Sequence, residues 1–95
     1  MSLVFEWSED KARANLRKHK VSFDEAQTVF LDELSITVPD ALHSQSEARF
    51  RIVGLSNMKK LLVASFTERG GKIRLISARK PTRSEIKDYE EKEFS

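Results

Sequence analysis

Two apolar runs joined by Gly70-Gly71 constrain this chain more than any other feature in it. Leu61 to Thr67 and Lys72 to Ala78 are rich in Leu, Val, Ile and Phe. Adjacent glycines accept the positive φ values that a tight hairpin turn requires. The stretch therefore reads as a β-hairpin. Its strands are apolar on both faces, as central strands of a covered sheet are. The register stays open at this level. A three-residue loop, Arg69-Gly70-Gly71, sets Glu68 opposite Lys72 and puts Glu68, Arg74 and Phe66 on one face. A two-residue turn, Gly70-Gly71, sets Glu68 opposite Ile73 and turns Arg74 the other way.

The rest of the chain supplies helices and further strands for this hairpin. Val4 to Trp7 alternates like a short strand. Ser8 is an N-cap, followed by Glu9 and Asp10 where negative charge suits the helix dipole. That helix is expected to run to about Lys18, with Ala12 and Leu16 on its buried side. Ser22-Phe23-Asp24-Glu25 is a capping box that opens a second helix, ending at Asp32-Glu33. Leu34 to Val38 reads as a strand stopped by Pro39, and Pro39 to Ser46 as a polar loop. Ala48 to Leu55 is a further strand, with Phe50 and Ile52 on one face. Thr82-Arg83-Ser84-Glu85 caps a last helix whose apolar face carries Ile86, Tyr89 and Phe94. The expected fold is α+β: two N-terminal helices, a twisted antiparallel sheet of about four strands, and a C-terminal helix.

Ninety-five residues fit a single domain, spanning 1–95. The chain has no cysteine, which removes disulfides, thiolate catalysis and cysteine-based zinc sites and suits a reducing cytoplasm. His19 and His43 are the only histidines and form no ligand pair, so neither a metal nor any other cofactor is expected. No apolar run is long enough to span a membrane, and no secretory leader is expected. Net charge is only +2, but its distribution is uneven. Lys11 to Lys20 holds five Lys/Arg without an acid, and Arg69 to Arg83 holds six. Two such runs in a small domain point to an anionic partner, although each alone fits a solvated face.

Glu68 is the one acid beside the Gly-Gly turn. Locally it reads as a cross-strand partner of Lys72 or Arg74. Its functional reading is a general base, or an acid that orients an arginine. Arg74 and Arg79 suit a phosphate because guanidinium donates two parallel hydrogen bonds. They differ in strand parity, so a bulge or a strand end is needed to bring them to one site. Arg69, Lys72, Lys80 and Arg83 flank them as candidate contacts to a nucleic-acid backbone. Lys18 and His19 close the first helix, where His19 is either a C-terminal cap or a general acid or base. Trp7 and Phe23 read as core, and His43 carries no assigned role.

Three segments in this order resemble one family: FEWSEDKARANLRKHKVSFDEAQTVFLD, TERGGKIRLISARKPTRSE and DYEE. They are similar to the BrnT toxins of bacterial type II toxin–antitoxin systems, over roughly Val4 to Glu91. One departure is Lys20, where the family usually has glycine in a K-H-G-V pattern. The resemblance implies a RelE-like fold and metal-independent endoribonuclease activity that arrests growth. It implies neutralisation by a BrnA-like antitoxin with a ribbon-helix-helix part, through which alone the toxin meets DNA. It maps the family's functional acid and arginines onto Glu68, Arg74 and Arg79, and its K-H pair onto Lys18 and His19. Cleavage by such residues would use the RNA 2′-OH as nucleophile. The competing readings are a non-catalytic RNA- or antitoxin-binding module of the same fold, and a DNA-binding domain using Lys11 to Lys20, which lacks a helix-turn-helix signature.

Overall fold

The computed structural model describes residues 2–93, so the expected contribution of Phe94 lies outside the described residues. The central hairpin forms as β4 (Leu61–Arg69) and β5 (Lys72–Arg79). Gly70 and Gly71 take φ values of 53° and 80°, so both central residues of a two-residue turn are left-handed. This resolves the register. Arg69 faces Lys72, Glu68 faces Ile73 and Thr67 faces Arg74.

Around this hairpin the sheet has five strands, one more than the sequence suggested. β1 (Phe5–Glu6), β2 (Ile36–Pro39) and β3 (Arg49–Leu55) complete it in the order β1-β5-β4-β3-β2. It is also mixed rather than antiparallel throughout, because β1 pairs parallel with β5. A two-residue strand carries too little periodicity to show its direction in the sequence. β2 starts at Ile36 rather than Leu34 because Asp32 accepts a hydrogen bond from the Leu34 amide and turns the chain there.

The helices cover both faces. α1 (Glu9–His19) is capped by Ser8, whose hydroxyl accepts from the Lys11 amide. α2 (Phe23–Ala26) is capped by Ser22, which accepts from the Glu25 amide at 3.1 Å, and continues as a 3₁₀ segment over Gln27–Leu31. Both lie on the face where Leu62, Ala64, Phe66, Ile52 and Leu75 are buried against Val21, Phe23, Ala26 and Val29. Phe5, Phe30, Phe66 and Phe50 form a continuous chain of ring contacts there, and Trp7 meets Phe23 edge-on. These contacts place Trp7 and Phe23 in the core, as their pattern indicated. Gly54 lets the 3₁₀ segment approach β3, since a Cβ there would meet the Val29 carbonyl oxygen at 3.0 Å. The other face carries Val53 and Val63 under Tyr89 of α3 (Arg83–Glu93).

The buried position on α1 is Asn15, whereas Leu16 is half exposed. The Asn15 amide donates to the carbonyls of Val21 and Ala78, each at 2.9 Å, and accepts from the Ala78 amide at 3.0 Å. A polar residue breaks the apolar stripe read from the sequence because it pairs with backbone. Lys20 ends α1 in the left-handed region, φ 61°, a backbone conformation that favours glycine. Replacing Asn15 with Ala leaves both backbone groups of Ala78 without these partners. Asn15→Ala is expected to cost roughly 2–3 kcal/mol in urea unfolding, measured against wild type.

Candidate functional site

β4 runs without interruption, but β5 does not. Phe66 faces Leu75, and the next pair is Ser65 with Ser77, leaving Ile76 as a bulge. Beyond it Ala64 faces Ala78 and Val63 faces Arg79. Thr67, Ser65 and Val63 alternate onto one face of β4, so their partners Arg74, Ser77 and Arg79 share that face. The bulge thus corrects the parity of the two arginines. They lie roughly 13 Å apart along the strands, four residues of β4 at its usual rise.

The same face receives Arg49 and Arg51, which sit opposite Thr67 and Ser65 on β3. Phe50 and Ile52 alternate with them into the core. Arg51, Ser65, Ser77 and Arg79 line a cleft of about 410 Å³. Lys18 and His19, from the end of α1, line it as well. So do Arg49 and, from the segment of the 3₁₀ turn over Ala41–His43, Asp40, Leu42 and His43.

Charges in the cleft are partly neutralised from within. Glu85, in the first turns of α3, accepts from Arg79 Nη1 at 2.8 Å and from its Nη2 at 3.1 Å. It also accepts from Arg51 Nη1 at 3.4 Å and closes its capping box with the Thr82 amide at 2.8 Å. The Arg79 hydrogen bonds dominate over burial and hold the Glu85 carboxyl at about 2. The same bonds raise the Arg79 guanidinium above its ordinary value. Arg79 is thereby oriented, with Nε–H and one Nη2–H left over. The Nε groups of Arg49 and Arg51 are buried and have no hydrogen-bond partner.

The structure separates the other residues singled out in the sequence. Glu68 faces Ile73, two positions beyond the core residue Phe66, so it lies on the face opposite Arg74 and Arg79. Of the two registers the sequence left open, the structure takes the two-residue turn, so Glu68 does not gather with Arg74 and Arg79 on one face. Arg74 is on the cleft's face but outside its lining, paired with Glu6 of β1 at 2.9 Å. Arg69 meets Glu47 at 3.2 Å, and Lys72, Lys80 and Arg83 are exposed. Arg49 and Arg51 were missed, although their strict alternation with Phe50 and Ile52 was the signal that could have found them. Among the described residues no three of His, Asp and Glu gather into a metal-binding group.

Residues 7–85 match the family model for ribonuclease toxin, BrnT, of type II toxin–antitoxin systems. The chain belongs to this BrnT family. Its fold is similar to the crystal structure of the Brucella abortus ribonuclease toxin BrnT. The TM-score is 0.66, with 19% sequence identity, covering 86% of this chain and 100% of that one. No curated protein matches the sequence. The family is one of ribonuclease toxins, which brings an RNA target and an antitoxin partner with it. Among the described residues, no helix is long and apolar enough to cross a membrane.

The Glu85 contacts make stability depend on acid in a defined window. A carboxyl depressed from 4.5 to about 2 contributes stability fully above pH 4.5 and loses it as pH falls toward 2. Glu85→Gln is expected to flatten that part of the stability–pH curve, as followed by urea midpoints across the acid range.

Proposed function

We propose that this member of the BrnT family is a metal-independent endoribonuclease that cuts RNA through attack of the 2′-OH. The observation that supports this most is the cleft where Arg49, Arg51 and Arg79 meet Lys18 and His19. In-line cleavage needs three things: a proton removed from O2′, charge stabilised on phosphorus-bound oxygens, and a proton delivered to O5′. Arg51 and Arg79 lie where a phosphate in the cleft would meet guanidinium donors, one of them oriented by Glu85. Arg49 adds a third guanidinium to the lining of the cleft. His19 or Lys18 supplies the proton to the leaving oxygen. The exposed Lys72, Lys80 and Arg83 extend the positive surface for RNA backbone outside the cleft, with Arg69 and Arg74 held to carboxylates beside it. Glu68 lies on the far side of the hairpin from this cleft.

The antitoxin we assign is BrnA-like, with a ribbon-helix-helix part that dimerises and carries the DNA contact. Its task is to mask the arginine face. The overall architecture is consistent with the RelE-like arrangement the sequence resemblance implied.

Two outcomes test the mechanism. Purified toxin freed of antitoxin is expected to cleave single-stranded RNA in excess EDTA and to leave the all-deoxy oligonucleotide intact. Loss of cleavage on chelation, restored by a divalent ion, refutes the metal-free route. A second test concerns the two faces of the hairpin. Alanine at Arg79 is expected to lower kcat/KM about a hundred- to a thousandfold. Because Glu68 and Arg79 lie on opposite faces, the effects of Glu68→Ala and Arg79→Ala should add within about 0.5 kcal/mol in a double-mutant cycle. A strongly sub-additive pair would instead mark them as one catalytic unit.

A further inference from the structure

We propose that His43, held by Asp40, is the general base of this cleavage and works in the same cleft as His19. The inference rests on the ribonuclease reading above and names the residue that takes the first proton.

The chain's two histidines are 24 positions apart in the sequence. Both line the same cleft, together with Arg51 and Arg79. His43 is the more open, its side chain 65% exposed, whereas the Asp40 side chain is 13% exposed. The two meet through His43 Nδ1 and Asp40 Oδ2 at 2.9 Å. A carboxylate at Nδ1 fixes the neutral tautomer with its proton there and leaves the Nε2 lone pair free. This arrangement favours His43 as base and leaves His19, beside Lys18, as acid.

The segment that carries the dyad is fastened to Arg49 of the cleft. The Asp40 amide donates to the Arg49 carbonyl at 2.8 Å. Ser44 Oγ donates to the Asp40 carbonyl at 2.6 Å and accepts from the Arg49 amide at 2.9 Å. Asp40 also adds to the electrostatic hold on Arg79. A histidine that merely capped a surface turn would not need a shielded carboxylate tied to the strand that bears the arginines.

His43 Nε2 takes the proton from O2′, and O2′ forms a bond to phosphorus. The P–O5′ bond breaks, and O5′ receives a proton from His19. The products are a 2′,3′-cyclic phosphate and a 5′-hydroxyl, and the two imidazoles exchange protons with water to reset. Asp40 is a positioning residue, because it acts through His43.

The experiment uses the purified full-length toxin on an RNA oligonucleotide with one ribonucleotide, and on the same oligonucleotide with sulfur replacing the bridging O5′. Thiolate leaves without a proton, so the second substrate needs a base but no acid. His43→Ala is expected to lower kcat about a hundred- to ten-thousandfold on both substrates, with KM changed little. The rise of rate with pH on the acid side should disappear, and added imidazole should restore part of the rate. Asp40→Asn should lower kcat with the same pH signature, while circular dichroism stays that of wild type. His19→Ala should be impaired on the oxygen substrate and recover on the sulfur one. A wild-type rate in folded His43→Ala, or recovery of that variant on the sulfur substrate, overturns the assignment of the base while the ribonuclease reading stands. A wild-type protein that cleaves neither substrate overturns both.

Discussion

A single side-chain amide holds the two halves of this molecule in register. β1 pairs with only the first part of β5, at Ile73 and Arg74. Past that point the edge of β5 has no strand beside it, and Asn15 takes the strand's place. Its carbonyl and amino groups engage both backbone groups of Ala78, as a neighbouring residue in a ladder would. The same amino group reaches the Val21 carbonyl and so fixes the turn between α1 and α2. Lys18 and His19 follow within one turn of helix, and Arg79 follows Ala78 directly. These parts of the cleft are therefore set by one buried polar contact, which is costly to leave unmade and unforgiving in geometry.

The opposite side of the sheet's arginine face is fastened by two carboxylates. Glu85 gathers Arg79 and Arg51 at the start of α3. Asp32 accepts from Tyr89 Oη at 2.6 Å and from the Leu55 amide at 2.8 Å, further along the same helix. Burial works against the Asp32 charge, but these hydrogen bonds outweigh it and keep the carboxyl below its ordinary range. α3 is thus positioned by ionic contacts at one end and a hydrogen-bonded phenol at the other, with Val53 and Val63 between. Arg51 and Arg79 on one small sheet face would repel each other; the helix brings the counter-charge that lets them sit together before any substrate arrives.

Much of the fold was legible in the sequence because it rests on local chemistry. The capping residues Ser8, Ser22 and Thr82 all accept the amide bonds their spacing implied. Gly70-Gly71 made the hairpin visible, and Phe50 and Ile52 pointed to the core. The helix at Glu9 to His19 was visible too, but its buried residue was not. An asparagine earns its place only when a distant backbone edge needs a partner, and nothing near position 15 reveals that edge. The site was harder for the same reason. Arg49 and Arg51 alternate in plain view, yet their value depends on which strand lies next to them. Pro39 to Ser46 carries no periodicity, so the meeting of Asp40 and His43 beside the arginines is a product of tertiary folding alone. Glu68 depended on a register that two equally good turns left undecided.

The bulge at Ile76 has a consequence for comparing relatives. Faces in this sheet are assigned by pairing to β4, which is continuous, and Ile76 is the one residue of β5 between Leu75 and Ser77 without a cross-strand partner there. A chain lacking that residue would pair Leu75 and Ser77 with the same partners and present the same two arginines outward. The distance in sequence between them is therefore a poor ruler across homologues. Alignments that insist on it would set equivalent arginines out of step, whereas aligning on the β4 partners Thr67 and Val63 would bring them together.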